Sequence, residues 1–160
     1  MTWEWTIARP MLCLHALAGF ASLAILVHVA YFALRGGGER GAGRRARAQK
    51  YAAIAWPVYV AAMVTGALVY PAYMVGVRAP WLEANRPALV GFFEIKEHWG
   101  AIGLLLAWAM WWYICRGGTA VVAAADRSFW RGQAILILLA TVCAAYNVIV
   151  GLWIVMVRSV

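Results

Sequence analysis

The chain has 160 residues, of which 66% are hydrophobic and only 12% are charged. Soluble domains carry roughly a quarter charged residues, so this composition excludes an ordinary soluble domain and favours a membrane protein. A helix needs about 20 apolar residues to cross a bilayer, and the chain therefore has room for four spans and short connections. We predict an all-α integral membrane four-helix bundle that forms a single domain, residues 1–160.

Four long apolar segments predict the membrane-spanning helices. They cover residues 11–34, 51–75, 94–115 and 130–157. The first segment is too long for the apolar core of a signal peptide, so we expect it to remain in the mature protein. Residues 35–50 are rich in Gly and Arg, and this composition predicts a loop. We expect the third helix to begin at Glu94, where the helix dipole favours a carboxylate.

The basic residues predict the orientation of the bundle. Nine of the fourteen Lys and Arg residues fall in the first and third connections: Arg35, Arg40, Arg44, Arg45, Arg47, Lys50, Arg116, Arg127 and Arg131. The positive-inside rule places these connections in the cytoplasm and both termini on the non-cytoplasmic side. The net charge of +8 then faces lipid headgroups rather than nucleic acid. We predict a multi-pass protein of a bacterial cytoplasmic (inner) membrane.

Two histidines within the apolar segments form the main candidate site, since ionisable residues inside a membrane are costly and indicate function. His15 and His98 each lie about one turn inside the non-cytoplasmic end of a predicted helix, at a shared depth of roughly 6 Å. Two histidines from different helices at one depth suit the axial positions of a b-type haem. The alternative is that each histidine is a hydrogen-bonding strut between helices.

Further residues near this end are consistent with a haem. Small residues that offer a surface to the porphyrin are Gly19, Gly100 and Gly103. Cations available to the haem propionates are Arg9, Arg78, Arg86 and Lys96. Charge-assisted hydrogen bonds from such cations would hold the propionates near water. We therefore predict one haem b, with both histidines as iron ligands.

The string that begins at Glu94 carries two carboxylates beside His98. Glu94 shares a helix face with His98 at i,i+4, and Glu97 is adjacent. Three functional interpretations follow: Glu94 orients His98; Glu94, Glu97 and the two histidines bind a metal; or the carboxylates exchange protons at a quinone site. The structural alternative is a charged helix start that is anchored at the membrane interface.

Three further polar or ligating residues lie inside the predicted spans. His28 falls on a different face of the first helix from His15, and no other histidine shares its depth. Met110 is a possible axial partner for His28, but an interhelical hydrogen bond or a contact with a neighbouring subunit's cofactor is favoured. We expect Asn147 to hydrogen-bond between helices rather than to bind a ligand.

The architecture resembles the four-helix b-type cytochromes of membrane redox enzymes in helix count and histidine depth. We therefore expect a haem-b electron-transfer subunit of a respiratory-chain complex rather than a stand-alone enzyme. Its partners would be other membrane subunits, lipid, and quinone or a redox protein on the non-cytoplasmic side. The alternative is a cofactor-free structural subunit of a multi-subunit membrane complex. Four helices are too few for the rocking repeats of a transporter.

Overall fold

The computed structural model describes residues 3–35, 42–116 and 127–157, and these residues are almost entirely helical. The four long helices are α1 (Trp3–Leu34), α2 (Ala42–Tyr73), α3 (Pro87–Trp111) and α4 (Arg127–Val157). Between α2 and α3 lie a π-helical segment, Met74–Leu82, and one α-helical turn, Glu83–Asn85; a second π-helical segment, Trp112–Arg116, follows α3. Residues 36–41 and 117–126, which hold parts of the two predicted cytoplasmic connections, lie outside the described residues.

The helices pack side by side and present apolar side chains outward. Helix α1 contacts α2 and α4, and α3 contacts α4 and α2. Exposed large side chains occur on every long helix, for example Leu17, Leu68, Leu105 and Ile149. Among the described residues, three helices are long and apolar enough to cross a membrane: α1, α2 with its extension, and α4. The general prediction of a helical protein suited to a membrane is confirmed. Helix α3 carries three charged residues, Glu94, Lys96 and Glu97, within its predicted membrane span.

Two predicted boundaries are wrong. The predicted loop over residues 35–50 is helical from Ala42 onward, because the Ala, Arg, Gln and Lys residues there are strong helix formers. Helix α3 begins at Pro87 rather than at Glu94, since proline suits the first helical position. The chain breaks just before it at Arg86, with φ −146° and ψ 59°. Glu94 therefore lies about two turns inside the helix, and the helix dipole does not explain its position.

Buried apolar side chains form two clusters at different levels along the helices. The first cluster includes the fully buried side chains Leu26, Met110, Ile114 and Ile137. The second cluster lies toward the opposite end and includes Tyr73, Leu82, Phe93 and Ile154. In each of α2, α3 and α4, a stretch that carries small and polar residues separates the two clusters. The helices do not fill the space at this level, and the candidate site lies there.

Candidate functional site

Two adjoining cavities lie between the packed clusters. The larger has a volume of about 330 Å³ and the smaller about 210 Å³. All four long helices contribute to their walls, through residues within 12–22, 59–73, 93–100 and 144–155. His15, Met63 and Asn147 are among the residues that line both cavities. The larger volume falls in the range of about 300–1,000 Å³ that is typical of pockets for small ligands and cofactors.

His15 joins two helices through one ring nitrogen and leaves the other nitrogen without a described protein partner. Its Nδ1 donates to the backbone carbonyl oxygen of Ala62 on α2, at 2.7 Å. Because a carbonyl oxygen only accepts, Nδ1 carries the proton, and Nε2 of the neutral ring keeps a lone pair. No hydrogen bond to Nε2 is formed within the described part of the chain. His15 thus acts as an interhelical strut, and it lines both cavities with an Nε2 that has no described hydrogen-bond partner.

Gly66 makes room for the His15 ring. A Cβ added at Gly66 would lie 2.9 Å from Cε1 and 3.0 Å from Nδ1 of His15, closer than ordinary carbon contacts. The ring therefore rests directly on the α2 backbone, beside its hydrogen-bond acceptor Ala62. Sequence reasoning missed this role of Gly66, because a small residue in an apolar helix ordinarily indicates only helix packing.

The structure does not bring His98 or His28 to the cavities. The His98 ring is exposed, and its Nδ1 donates to the backbone oxygen of Glu94, one turn earlier in α3, at 2.8 Å. His28 donates in the same way to Ala24 at 2.7 Å. Instead of the expected interhelical hydrogen bond, His28 stacks on Tyr51 of α2, with ring centroids 5.3 Å apart. Of the three histidines, all of which are described, only His15 lines a cavity.

The carboxylate of Glu94 forms an ion pair with Arg78. Arg78 donates from Nη2 to Glu94 Oε1 at 2.6 Å and from Nε to Glu83 Oε1 at 3.2 Å. This three-residue network ties the segment before α3 to α3 itself. The interpretation in which the Glu94 carboxylate orients His98 does not agree with this geometry, since the Glu94 backbone oxygen accepts from that ring.

Lys96 and Glu97 have different surroundings from Glu94, because both line the larger cavity. The Lys96 Nζ lies 5.3 Å from the centre of the Phe93 ring. The predicted four-residue metal set of Glu94, Glu97, His98 and His15 is not assembled: over the described ranges, no group of three or more His, Cys, Asp or Glu is placed to hold a metal ion. Within this charged string of α3, Glu94 thus forms an ion pair, whereas Lys96 and Glu97 line the cavity.

The predicted glycine surface is formed only in part. Gly100 lines the larger cavity and Gly19 the smaller one. Gly103 faces no open space, since an added Cβ would collide with the Tyr59 hydroxyl and lie 2.9 Å from Cβ of Cys143. The absence of a side chain at Gly103 allows the helices to approach closely there, rather than exposing a surface for a porphyrin.

The remaining predicted residues also differ in whether they line a cavity. Met110 is fully buried in the first apolar cluster and lines neither cavity. Arg9 and Arg86 are exposed and contribute to neither wall. Asn147 lines both cavities, but its Nδ2 donates to the Cys143 carbonyl of its own helix at 2.8 Å. The expected interhelical hydrogen bond of Asn147 is not formed with any described residue, and its amide lies in the cavity wall.

Two tyrosines add polar groups that sequence reasoning did not find. Tyr73 lines the larger cavity and Tyr59 the smaller one. Both residues are buried, and within the described part of the molecule neither hydroxyl has a hydrogen-bond partner. The Tyr59 hydroxyl lies against Gly103, in the close contact between helices. Because buried polar groups are nearly always hydrogen-bonded, the Tyr73 hydroxyl is the one of the two that a ligand in the larger cavity could pair with. The walls are therefore mostly apolar with a few convergent polar groups.

Comparison with protein-family models, with curated protein sequences and with solved structures finds no match to this chain. The functional argument therefore rests on the residues of the cavities themselves.

Proposed function

We propose that this chain is a four-helix bundle of the bacterial inner membrane, with both termini on the non-cytoplasmic side, that binds haem b through His15. In this proposal it transfers electrons within a larger membrane redox complex. Quinone or a redox protein is the exchange partner, and other membrane subunits surround the bundle. One observation carries the proposal: His15 lines both cavities with Nε2 free, while its Nδ1 donates to Ala62.

The environment of His15 fits an iron ligand. Histidines that bind metals commonly donate their second ring nitrogen to a backbone carbonyl or carboxylate, which fixes the tautomer and the ring orientation. Ala62 accepts this bond, and Gly66 leaves space for the ring beside it. Bound haem supplies one-electron transfer. The apolar wall would limit access of water and so favour a stable iron environment.

The proposed second iron ligand differs from the sequence prediction. His98 lines neither cavity, so the proposal does not include it. Met63 lines both cavities together with His15, and its sulfur would lie 3.3 Å from a Cβ added at Gly100. Histidine and methionine together ligate haem iron in the c-type cytochromes. We therefore propose Met63 as the candidate second ligand.

A reduced-minus-oxidised absorption spectrum of the purified full chain, produced with ample haem supply, tests the proposal. We expect a b-type α-band and about one haem per chain. Size-exclusion chromatography and circular dichroism establish that the sample is folded. Well-folded protein without an α-band would contradict the haem proposal and favour the alternative, a cofactor-free structural subunit. The outward apolar side chains on every long helix suit either protein.

A further inference from the structure

Lys96 extends into the protein rather than out toward water. It lines the larger cavity, and its Cε would lie 3.6 Å from a Cβ added at Gly151 of α4. The side chain therefore spans from α3 to α4 beneath the Phe93 ring. Lysines near a membrane surface ordinarily extend their ammonium groups to water. The inward orientation of Lys96 places a positive charge in a mostly apolar wall.

No described carboxylate forms an ion pair with Lys96. The ion pairs among the described residues join Arg78 to Glu83 and to Glu94. The described contact of the ammonium group is with the face of Phe93, at 5.3 Å from the ring centre. A cation–π contact compensates only part of the cost of removing an ammonium ion from water. Glu97 lies in the same wall and offsets part of this charge, but it forms no ion pair with Lys96. A bound anion would supply a direct partner for the ammonium group.

Among the described residues, the other basic side chains near this end are not available to a ligand in the cavity. Arg9 and Arg86 are exposed and line no cavity wall, and Arg78 is paired with two glutamates. Lys96 is therefore the cation of this group that a ligand in the larger cavity would meet. The sequence did not indicate which of these four cations lines the cavity, because it predicts all four at the same end of the bundle.

We infer that the larger cavity binds an amphiphilic molecule with a carboxylate head, and that Lys96 holds this carboxylate. The mostly apolar wall takes the hydrophobic body of the ligand. A phosphate head is disfavoured, because its recognition commonly uses several donors or a planar Arg fork, and Glu97 in the same wall repels a second negative charge. The inference deepens the proposed function and rests on it where the carboxylate is a haem propionate. A free fatty acid offers the same chemistry.

The test compares an acid with its methyl ester, which has the same body without the charge. Doxyl-labelled stearate and its methyl ester are titrated against the full chain in phosphatidylcholine nanodiscs, and quenching of tryptophan fluorescence measures binding. We expect the wild type to favour the acid by roughly tenfold to a hundredfold, the usual strength of a charge-assisted hydrogen bond. Lys96→Met should remove this preference and Lys96→Arg should keep most of it. Lys50→Met, which changes an exposed lysine on α2, is the control.

Replacement of Glu97 should have the opposite effect on binding of the acid from replacement of Lys96 by Met. Glu97→Gln removes a negative charge from the same wall, so it should strengthen binding of the acid and leave the ester unchanged. Equal binding of acid and ester by the wild type would overturn the inference without any variant. A preference that survives in Lys96→Met, with the variant folded, would also overturn the role of Lys96.

A second arm separates the two sources of the carboxylate and the two proposals. Haem and its dimethyl ester are titrated in the same nanodiscs and followed by absorption. Preference for stearate without haem binding would contradict the proposed function and support the inference. Equal binding of both haem forms, with no preference for stearate, would support the proposed function and contradict the inference. Preference for the acid form of both molecules supports both.

Discussion

At the scale of single residues, His15 and His98 show how the rotation of a helix decides which side chain reaches the interior. The positions of His15 and His98 along their helices follow from counting residues, because each residue adds a fixed rise. Which of them faces the interior depends on how each helix is rotated, and packing sets that rotation. Gly66 and Ala62 hold His15 inside, whereas His98 donates to its own helix and lies on an exposed face. No local sequence pattern distinguishes these two outcomes.

Gly66→Ala should weaken haem binding in the folded protein. The added Cβ would displace the His15 ring and strain its bond to Ala62, and loss of such an orienting partner costs roughly tenfold to a hundredfold in affinity. Haem titration of the purified variant measures this. Gly132→Ala is the control, because a Cβ there meets nothing within 4 Å. Unchanged haem affinity in Gly66→Ala would contradict the assigned role of His15.

At the scale of helices, the apolar segments identified the elements but not all of their ends. Each predicted span falls almost wholly within a helical stretch, and the end of α1 at Leu34 agrees with the prediction. The beginnings of α1, α2 and α3 extend beyond the apolar segments, because residues 3–10, 42–50 and 87–93 are helical without being uniformly apolar or uncharged. Hydropathy indicates which part of a helix can lie in lipid. The backbone hydrogen bonds of the helix can begin several residues before that part.

Gly103→Ala should destabilise the packing of α3 against α2 and α4. The added Cβ would meet the buried Tyr59 hydroxyl and Cys143, and overpacking of a core costs about 1–3 kcal/mol. Thermal unfolding of the purified variant should show a lower midpoint than the wild type. Gly91→Ala in the same helix is the matched control, since its Cβ would enter open space. Equal destabilisation by both substitutions would show that the Tyr59 contact is not the cause.

At the scale of the whole molecule, the cavities lie where the two apolar clusters leave a gap. The sequence predicted that His15 and Lys96 lie at one end of the bundle. The gap arises from contacts among all four helices, so the sequence of a single helix could not predict it. The polar residues of its wall come from distant parts of the chain, such as Tyr73 and Asn147. In the proposed orientation, this end of the molecule faces the non-cytoplasmic side.

Reporter fusions at the C-terminus test that orientation. An alkaline phosphatase fusion should be active, because the enzyme requires export, and a green fluorescent protein fusion should not fluoresce. The reasoning is the excess of Arg and Lys in the connections assigned to the cytoplasm. A fluorescent fusion with an inactive phosphatase counterpart would reverse the proposed topology.

The haem content of three histidine variants tests the central claim most directly. His15→Ala, His28→Ala and His98→Ala are purified in parallel, and haem per folded chain is measured from the pyridine haemochrome spectrum. If the proposed function holds, we expect that His15→Ala loses nearly all haem, while His28→Ala and His98→Ala keep the wild-type content. Full haem content in folded His15→Ala, or loss in His98→Ala alone, would contradict the assignment of His15 as the iron ligand in the cavities.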